Sequence, residues 1–174
     1  MAEPSPQQIL RRIRLVLAFF IFCLVLSGIT AFALQWELEL LASWLGVPAA
    51  ASPESYSGLT WWIVIVRNGL QETYAKYPFI AYGTDWLAFA HVILAVLFVG
   101  AWRDPVRNAW VIDFGLWACV LVIPLALICG HIRGIPFGWR LIDCSFGVFG
   151  LIPLCWIRKW TCELATGTAE LSDV

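Results

Sequence analysis

Residues 110–130 read WVIDFGLWACVLVIPLALICG, a run of 21 residues in which Asp113 is the one charged side chain. A bilayer's hydrocarbon core is about 30 Å thick, so a helix needs roughly 20 mostly apolar residues to cross it. This stretch meets that length, and three others come close to it. Working outward from it, residues 85–101 and 139–157 flank it, and residues 15–34 lie near the start of the sequence. The four runs predict an all-α integral membrane protein, a single membrane domain over residues 1–174. Four transmembrane helices would form an antiparallel bundle beneath an extracytoplasmic helical cap.

Composition agrees with that class. Hydrophobic residues make up 61% of the 174, and mean hydropathy is +0.81. Soluble domains use about 45–50% apolar residues. The net charge of −1 gives no reason to expect a nucleic-acid partner. Arg11, Arg12 and Arg14 precede the first run, and Ala31-Phe32-Ala33 resembles a signal-cleavage site. Signal cores are shorter, about 7–15 residues, so the run is read as a retained first helix.

Charge asymmetry predicts sidedness, because Lys and Arg concentrate on the cytoplasmic side of short loops. With the N-terminus inside, Arg11, Arg12, Arg14, Arg103, Arg107, Arg158 and Lys159 are cytoplasmic. Arg67, Lys76, Arg133 and Arg140 are outside. Both ends, residues 1–14 and 158–174, then read as cytoplasmic tails, and the host bilayer as a cell membrane, plasma or inner. Trp36, Trp86 and Trp139 mark outer borders and Trp102, Trp110, Trp156 and Trp160 inner ones. Indole rings favour the headgroup layer.

The outer segment, residues 36–84, is read as the cap. Leu38, Leu41, Trp44 and Leu45 recur at helical spacing across residues 36–47, and Pro48 ends that pattern. Residues 48–58 read as a linker. The apolar Leu59–Val66 run is too short to span and has three readings: an interfacial helix, a lid, or a hairpin favoured by β-branched Ile63-Val64-Ile65-Val66.

Charged groups in lipid are costly and must face protein or water. Asp85, Ala88, His91 and Ala95 share one helical face, with Leu87, Leu94 and Phe98 opposite. Asp143, Gly147 and Gly150 repeat the pattern in the fourth run, Gly115 and Cys119 share a face in the third, and Cys23, Ser27 and Thr30 do so in the first. Small residues let membrane helices approach closely. Asp85, His91, His131, Arg133, Arg140 and Asp143 gather at the outer border and predict a polar cleft open to the outside, within reach of Arg67 and Glu72. Ion pairs Arg140–Asp143 and Asp85–Arg133, tying helix ends together, are the structural alternative for the same residues.

Several chemistries are weighed against these residues. His91 and His131 are the two candidate ligands for a b-type haem, which sits well between bundle helices; no C-x-x-C-H accompanies them. No other cofactor is predicted. Cys129 and Cys144 are a candidate disulfide on the oxidising side, although the second cysteine pair of a thiol-oxidising enzyme is missing. Ser145 lacks a G-x-S-x-G elbow and the histidines lack H-E-x-x-H spacing, so neither a catalytic set nor a metal site is assigned. The sequence therefore reads as a non-enzymatic membrane subunit or binding protein. Its ligand is expected to be a small anion or an anionic lipid headgroup, since guanidinium forks pair with carboxylate or phosphate. Its partners are the bilayer and either further copies of itself or a larger membrane complex. A small oligomeric transporter or channel is the remaining alternative.

Overall fold

The computed structural model describes residues 4–172. Of the two expected tails, residues 1–3 and 173–174 lie outside the described residues. Among those described, 86% are helical and none is in a strand. The six helices are α1 (Pro6–Phe32), α2 (Leu34–Trp44), α3 (Gly58–Lys76), α4 (Ala81–Arg103), α5 (Ala109–Ile132) and α6 (Phe137–Ser172). Short 3₁₀ turns, Pro53–Ser55 and Pro78–Ile80, separate α2, α3 and α4.

Four helices are long and apolar enough to cross a membrane: Pro6–Phe32, Pro78–Arg103, Ala109–Ile132 and Phe137–Thr166. They coincide with the four runs read from sequence but extend them. The fourth continues well past Ile157, so most of the segment read as a C-terminal tail is helical. Their apolar surface is largely uncovered by protein. Within the most apolar stretch of α1, 11% of residues are buried, while Leu15, Phe19, Phe22, Leu26 and Ile29 are exposed. Soluble monomers rarely expose contiguous apolar patches beyond a few hundred Å².

The chain divides into two compact units, Met1–Leu24 with Leu94–Val174, and Val25–Ile93. In the first, one core is built from α1 (Ile9, Ile13, Leu17), α4 (Phe98, Ala101), α5 (Val111, Ile112) and α6 (Leu154, Ile157). The buried α1 residues recur every four positions, as one face of a helix requires. Phe98, placed by the helical wheel on the face opposite the small residues, is 2% exposed and packs on Phe20 with ring centroids 4.9 Å apart. Large aromatic area wins over wheel position here.

Helices α5 and α6 meet through glycine. A Cβ on Gly115 would lie 2.7 Å from the Phe98 ring and 3.0 Å from Leu154. One on Gly150 would lie 2.6 Å from Cys119 Sγ, and one on Gly147 would press into the Cys119 carbonyl and come within 2.7 Å of Val122. Small residues let apolar helices approach this closely and pack by van der Waals contact. Both Pro124 and Pro153 lie inside helices that continue past them.

In the second unit, the Val25–Phe32 part of α1 meets α4 at Gly28, where a Cβ would stand 2.9 Å from the Ala88 carbonyl and 3.3 Å from His91 Cβ. The contact of this helix thus falls on Gly28. Of Cys23, Ser27 and Thr30, the small stripe expected on this helix, Cys23 and Ser27 are exposed and Thr30 is half-buried. Residues 58–76 form one helix, which settles the hairpin alternative against a strand pair. The β-branched run costs helix propensity only modestly, and Ile63, Val64 and Arg67 line its buried face.

Candidate functional site

The six residues predicted to share a cleft divide between the units, Asp85 and His91 in one, His131, Arg133, Arg140 and Asp143 in the other.

Asp85 lines an open groove of about 390 Å³ together with Glu39, Gln35, Trp36 and Tyr74. Neither Arg nor Lys lines this groove, and Gln35 donates to Glu39 at 3.4 Å. Two carboxylates without a cation make it unsuited to an anion. His91 is bonded through Nδ1 to the Leu87 carbonyl at 2.8 Å. In the neutral ring, donation from Nδ1 leaves the lone pair on Nε2.

Arg67 does not reach toward a cleft. It is 4% exposed and closes the linker instead, with Nη1 donating to the Pro48 carbonyl and Nη2 to the Ala49 carbonyl, each at 3.1 Å. Its Nε and Nη2 also bond Asn68 Oδ1, and Asn68 Nδ2 donates to the Ala51 carbonyl at 2.9 Å. The chain arrives at these donors through Gly46, whose φ of 70° ends α2 with the Val47 amide donating to the Ala42 carbonyl. Glycine adopts that left-handed conformation without a Cβ penalty. A buried guanidinium satisfied by backbone carbonyls is costly to replace, since the carbonyls would lose their donors.

The other four residues stand around the α5–α6 connection. Helix α5 ends at Gly134, φ 70°, with the Ile135 amide donating to the Gly130 carbonyl. His131 and Arg133 are exposed there. Arg140, on the first turn of α6, lays its stem across Gly130, where an added Cβ would come within 2.6 Å of its Cδ. Its Nη1 donates to the Leu127 carbonyl at 3.3 Å, and its guanidinium lies 5.2 Å from the Phe137 ring. Its Nε is buried and has no hydrogen-bond partner.

Among the described residues, the ion pairs within 4.0 Å are Arg158–Asp113 and Lys159–Glu163. The structural alternative is therefore not realised: Arg140 pairs with no carboxylate, and Asp143, three residues on, lies apart from it. Arg158 bonds Asp113 at 2.6 Å and reaches Cys162 Sγ at 2.9 Å. Asp113 is the one charged side chain of the 110–130 run, and no partner is read for it from the sequence. The signal for the pair was present, since an ionisable residue inside a spanning run requires a partner.

All six cysteines are free. Cys144 is buried and reaches the Ile123 carbonyl at 3.9 Å, whereas Cys129 is exposed. Cys129 lies six residues from Ile123, about 9 Å along the helix, so the candidate disulfide is not formed. The Ser145 hydroxyl donates to the Ile142 carbonyl at 2.6 Å, and no group of three or more His, Cys, Asp or Glu residues converges on a metal-sized site among the described residues.

Comparison with known proteins returns no match: no family model fits the chain, and neither a curated protein nor a solved structure is similar to it.

Proposed function

We propose that this is an integral protein of a cell membrane, crossing it four times with both termini cytoplasmic, whose work is binding rather than catalysis. In this reading the four spans form an antiparallel bundle capped by residues 36–84. The α5–α6 end takes an anionic group, either a small anion or a lipid headgroup. The observation that carries it is Arg140, a guanidinium held in place by Gly130 and the Leu127 carbonyl, in no ion pair among the described residues and keeping one buried N–H unmet. A fixed fork with spare donors suits carboxylate or phosphate. Arg133 adds positive potential nearby, His131 offers a ring N–H donor, and Asp143 would set a limit on how much negative charge the place accepts. Asp85, beside Glu39, contributes nothing favourable to an anion and drops out of this version of the site.

The test is mass spectrometry of what co-purifies, combined with titration by inorganic phosphate. Wild-type protein is expected to carry an anionic lipid or bind phosphate, and Arg140→Ala to lose it with the helical content unchanged. Identical ligand profiles for the two proteins would make Arg140 a structural residue only.

One observation favours a second reading. The Nδ1 bond of His91 leaves Nε2 free as a ligand, an orientation typical of metal-ligating histidines. A b-type haem held by His91 predicts a Soret band that His91→Ala removes. A colourless preparation from haem-supplemented cells ends that reading.

A further inference from the structure

The N-terminal part of the first unit holds more cationic charge than its carboxylates neutralise. Arg11, Arg12, Arg14, Arg103 and Arg107 take no part in the ion pairs found among the described residues. The nearby Asp104 carboxylate is committed to the turn, accepting from the Arg107 amide at 3.0 Å. Helices α1 and α4 form an open groove of about 430 Å³ here, lined by Leu10, Leu15, Ala18 and Trp102 with Arg11 and Arg14 among them.

Arg14 is fixed in position. Its Nε donates to the Trp102 carbonyl at 3.3 Å and its Nη2 to the Arg103 carbonyl at 3.2 Å, at the negative end of the α4 dipole. The guanidinium also lies 5.8 Å from the Trp102 ring. Arg11, one turn earlier on α1, is exposed and in no ion pair among the described residues. The apolar wall does not stop at the groove, because Leu15 and Phe19 are 62% and 65% exposed and carry the same surface up α1.

An occupant must therefore have two parts, an anion for the guanidiniums and a long apolar chain for the wall. We propose that this groove binds an anionic phospholipid, its phosphate against Arg11 and Arg14 and one acyl chain along Leu10, Leu15 and Ala18. The proposal rests on the membrane reading given above and is independent of the role given to Arg140. Charge complementarity selects anionic over zwitterionic lipid. The contiguous apolar surface selects a lipid over a free anion, which would leave that surface unused.

The experiment is native mass spectrometry of the full chain in detergent, titrated with dioleoyl-phosphatidylglycerol or dioleoyl-phosphatidylcholine. Wild-type protein is expected to retain the phosphatidylglycerol preferentially. Each basic residue near an anionic surface changes affinity about fivefold, so Arg11→Gln should lose about that factor for phosphatidylglycerol and nothing for phosphatidylcholine. Arg11 makes no side-chain contact that the fold depends on, and so this variant decides the matter even if Arg14→Gln fails to fold. Glycerol phosphate at millimolar concentration should not displace the lipid. Equal retention of both lipids, an unchanged preference in Arg11→Gln, or displacement by glycerol phosphate would each overturn the proposal. Failure of the protein to take up any lipid would instead remove the membrane reading beneath it.

Discussion

Replacing Gly147 by Ala adds one methyl group at the tightest point between α5 and α6. The new Cβ would lie 2.7 Å from Val122 Cγ1, about 0.7 Å inside the 3.4 Å at which ordinary contact begins, and would press on the Cys119 carbonyl as well. A side chain can rotate away, but a helix carbonyl cannot without moving the helix. Overpacking of this kind costs about 1–3 kcal/mol. At roughly 2–4 °C per kcal/mol for a chain of this size, the midpoint of thermal unfolding in detergent should fall by several degrees. Gly69→Ala is the control, because nothing lies within 4 Å of a Cβ added there. It gains up to about 1 kcal/mol of helix propensity and should raise the midpoint slightly. If both substitutions shift it equally, α5 and α6 do not touch at Gly147 and the packing described is wrong.

Arg67→Met should free the 48–51 linker, at about 1–3 kcal/mol for each carbonyl left without its donor; limited proteolysis should cut near residues 48–57 faster than in the wild type, and unchanged cleavage would refute the clamp. Arg67→Lys should restore little, because one ammonium cannot reproduce the fork. Asp113 and Arg158 are 43% and 36% exposed in their side chains, so a double-mutant cycle with Asp113→Asn and Arg158→Gln should give a coupling no larger than about 1 kcal/mol. A coupling several times greater would mean the pair is far drier than its geometry indicates. The Ser52 hydroxyl and a backbone amide hold the Glu54 carboxyl below its ordinary range. A depressed folded pKa gives stabilisation that is present above the unfolded value and lost as pH falls through the folded one. The 53–55 turn should therefore loosen in acid, and Ser52→Ala should move the Glu54 titration seen by NMR back upward.

The spans were legible because lipid imposes one coarse condition, some 20 apolar residues, that the runs at 15–34, 85–101, 110–130 and 139–157 satisfy unaided. Glycine positions on α5 and α6 were legible for a related reason. The faces carrying Gly115 with Cys119 and Gly147 with Gly150 have no bulk to keep helices apart; Cys119 meets both Gly147 and Gly150, while Gly115 receives Phe98 and Leu154. Wheel reasoning failed where chemistry and shape compete. Cys23 and Ser27 looked like an interface, yet the neighbouring Gly28 permits a backbone approach that they do not. The wheel sets Phe98 opposite the small residues of its helix, yet it fills the space left by Gly115.

Long-range polar partners were the least legible. Nothing local to Arg67 announces that its guanidinium serves carbonyls 18 and 19 residues earlier. The Arg140–Asp143 spacing permits a pair on a helix surface, but the Arg140 stem is drawn away over Gly130 toward the Leu127 carbonyl. Sequence spacing gives the faces that side chains share, and tertiary contacts decide which donor meets which acceptor.

The account depends most on four crossings of a bilayer, which cysteine mapping in sealed vesicles tests directly. With the six native cysteines replaced, single cysteines at Gln8, Ser55, Val106 and Ile135 would be labelled by a membrane-impermeant maleimide. The account predicts that Gln8 and Val106 react from one side and Ser55 and Ile135 from the other. Labelling of Gln8 and Ser55 from the same side, or of all four positions alike in intact vesicles, would contradict it.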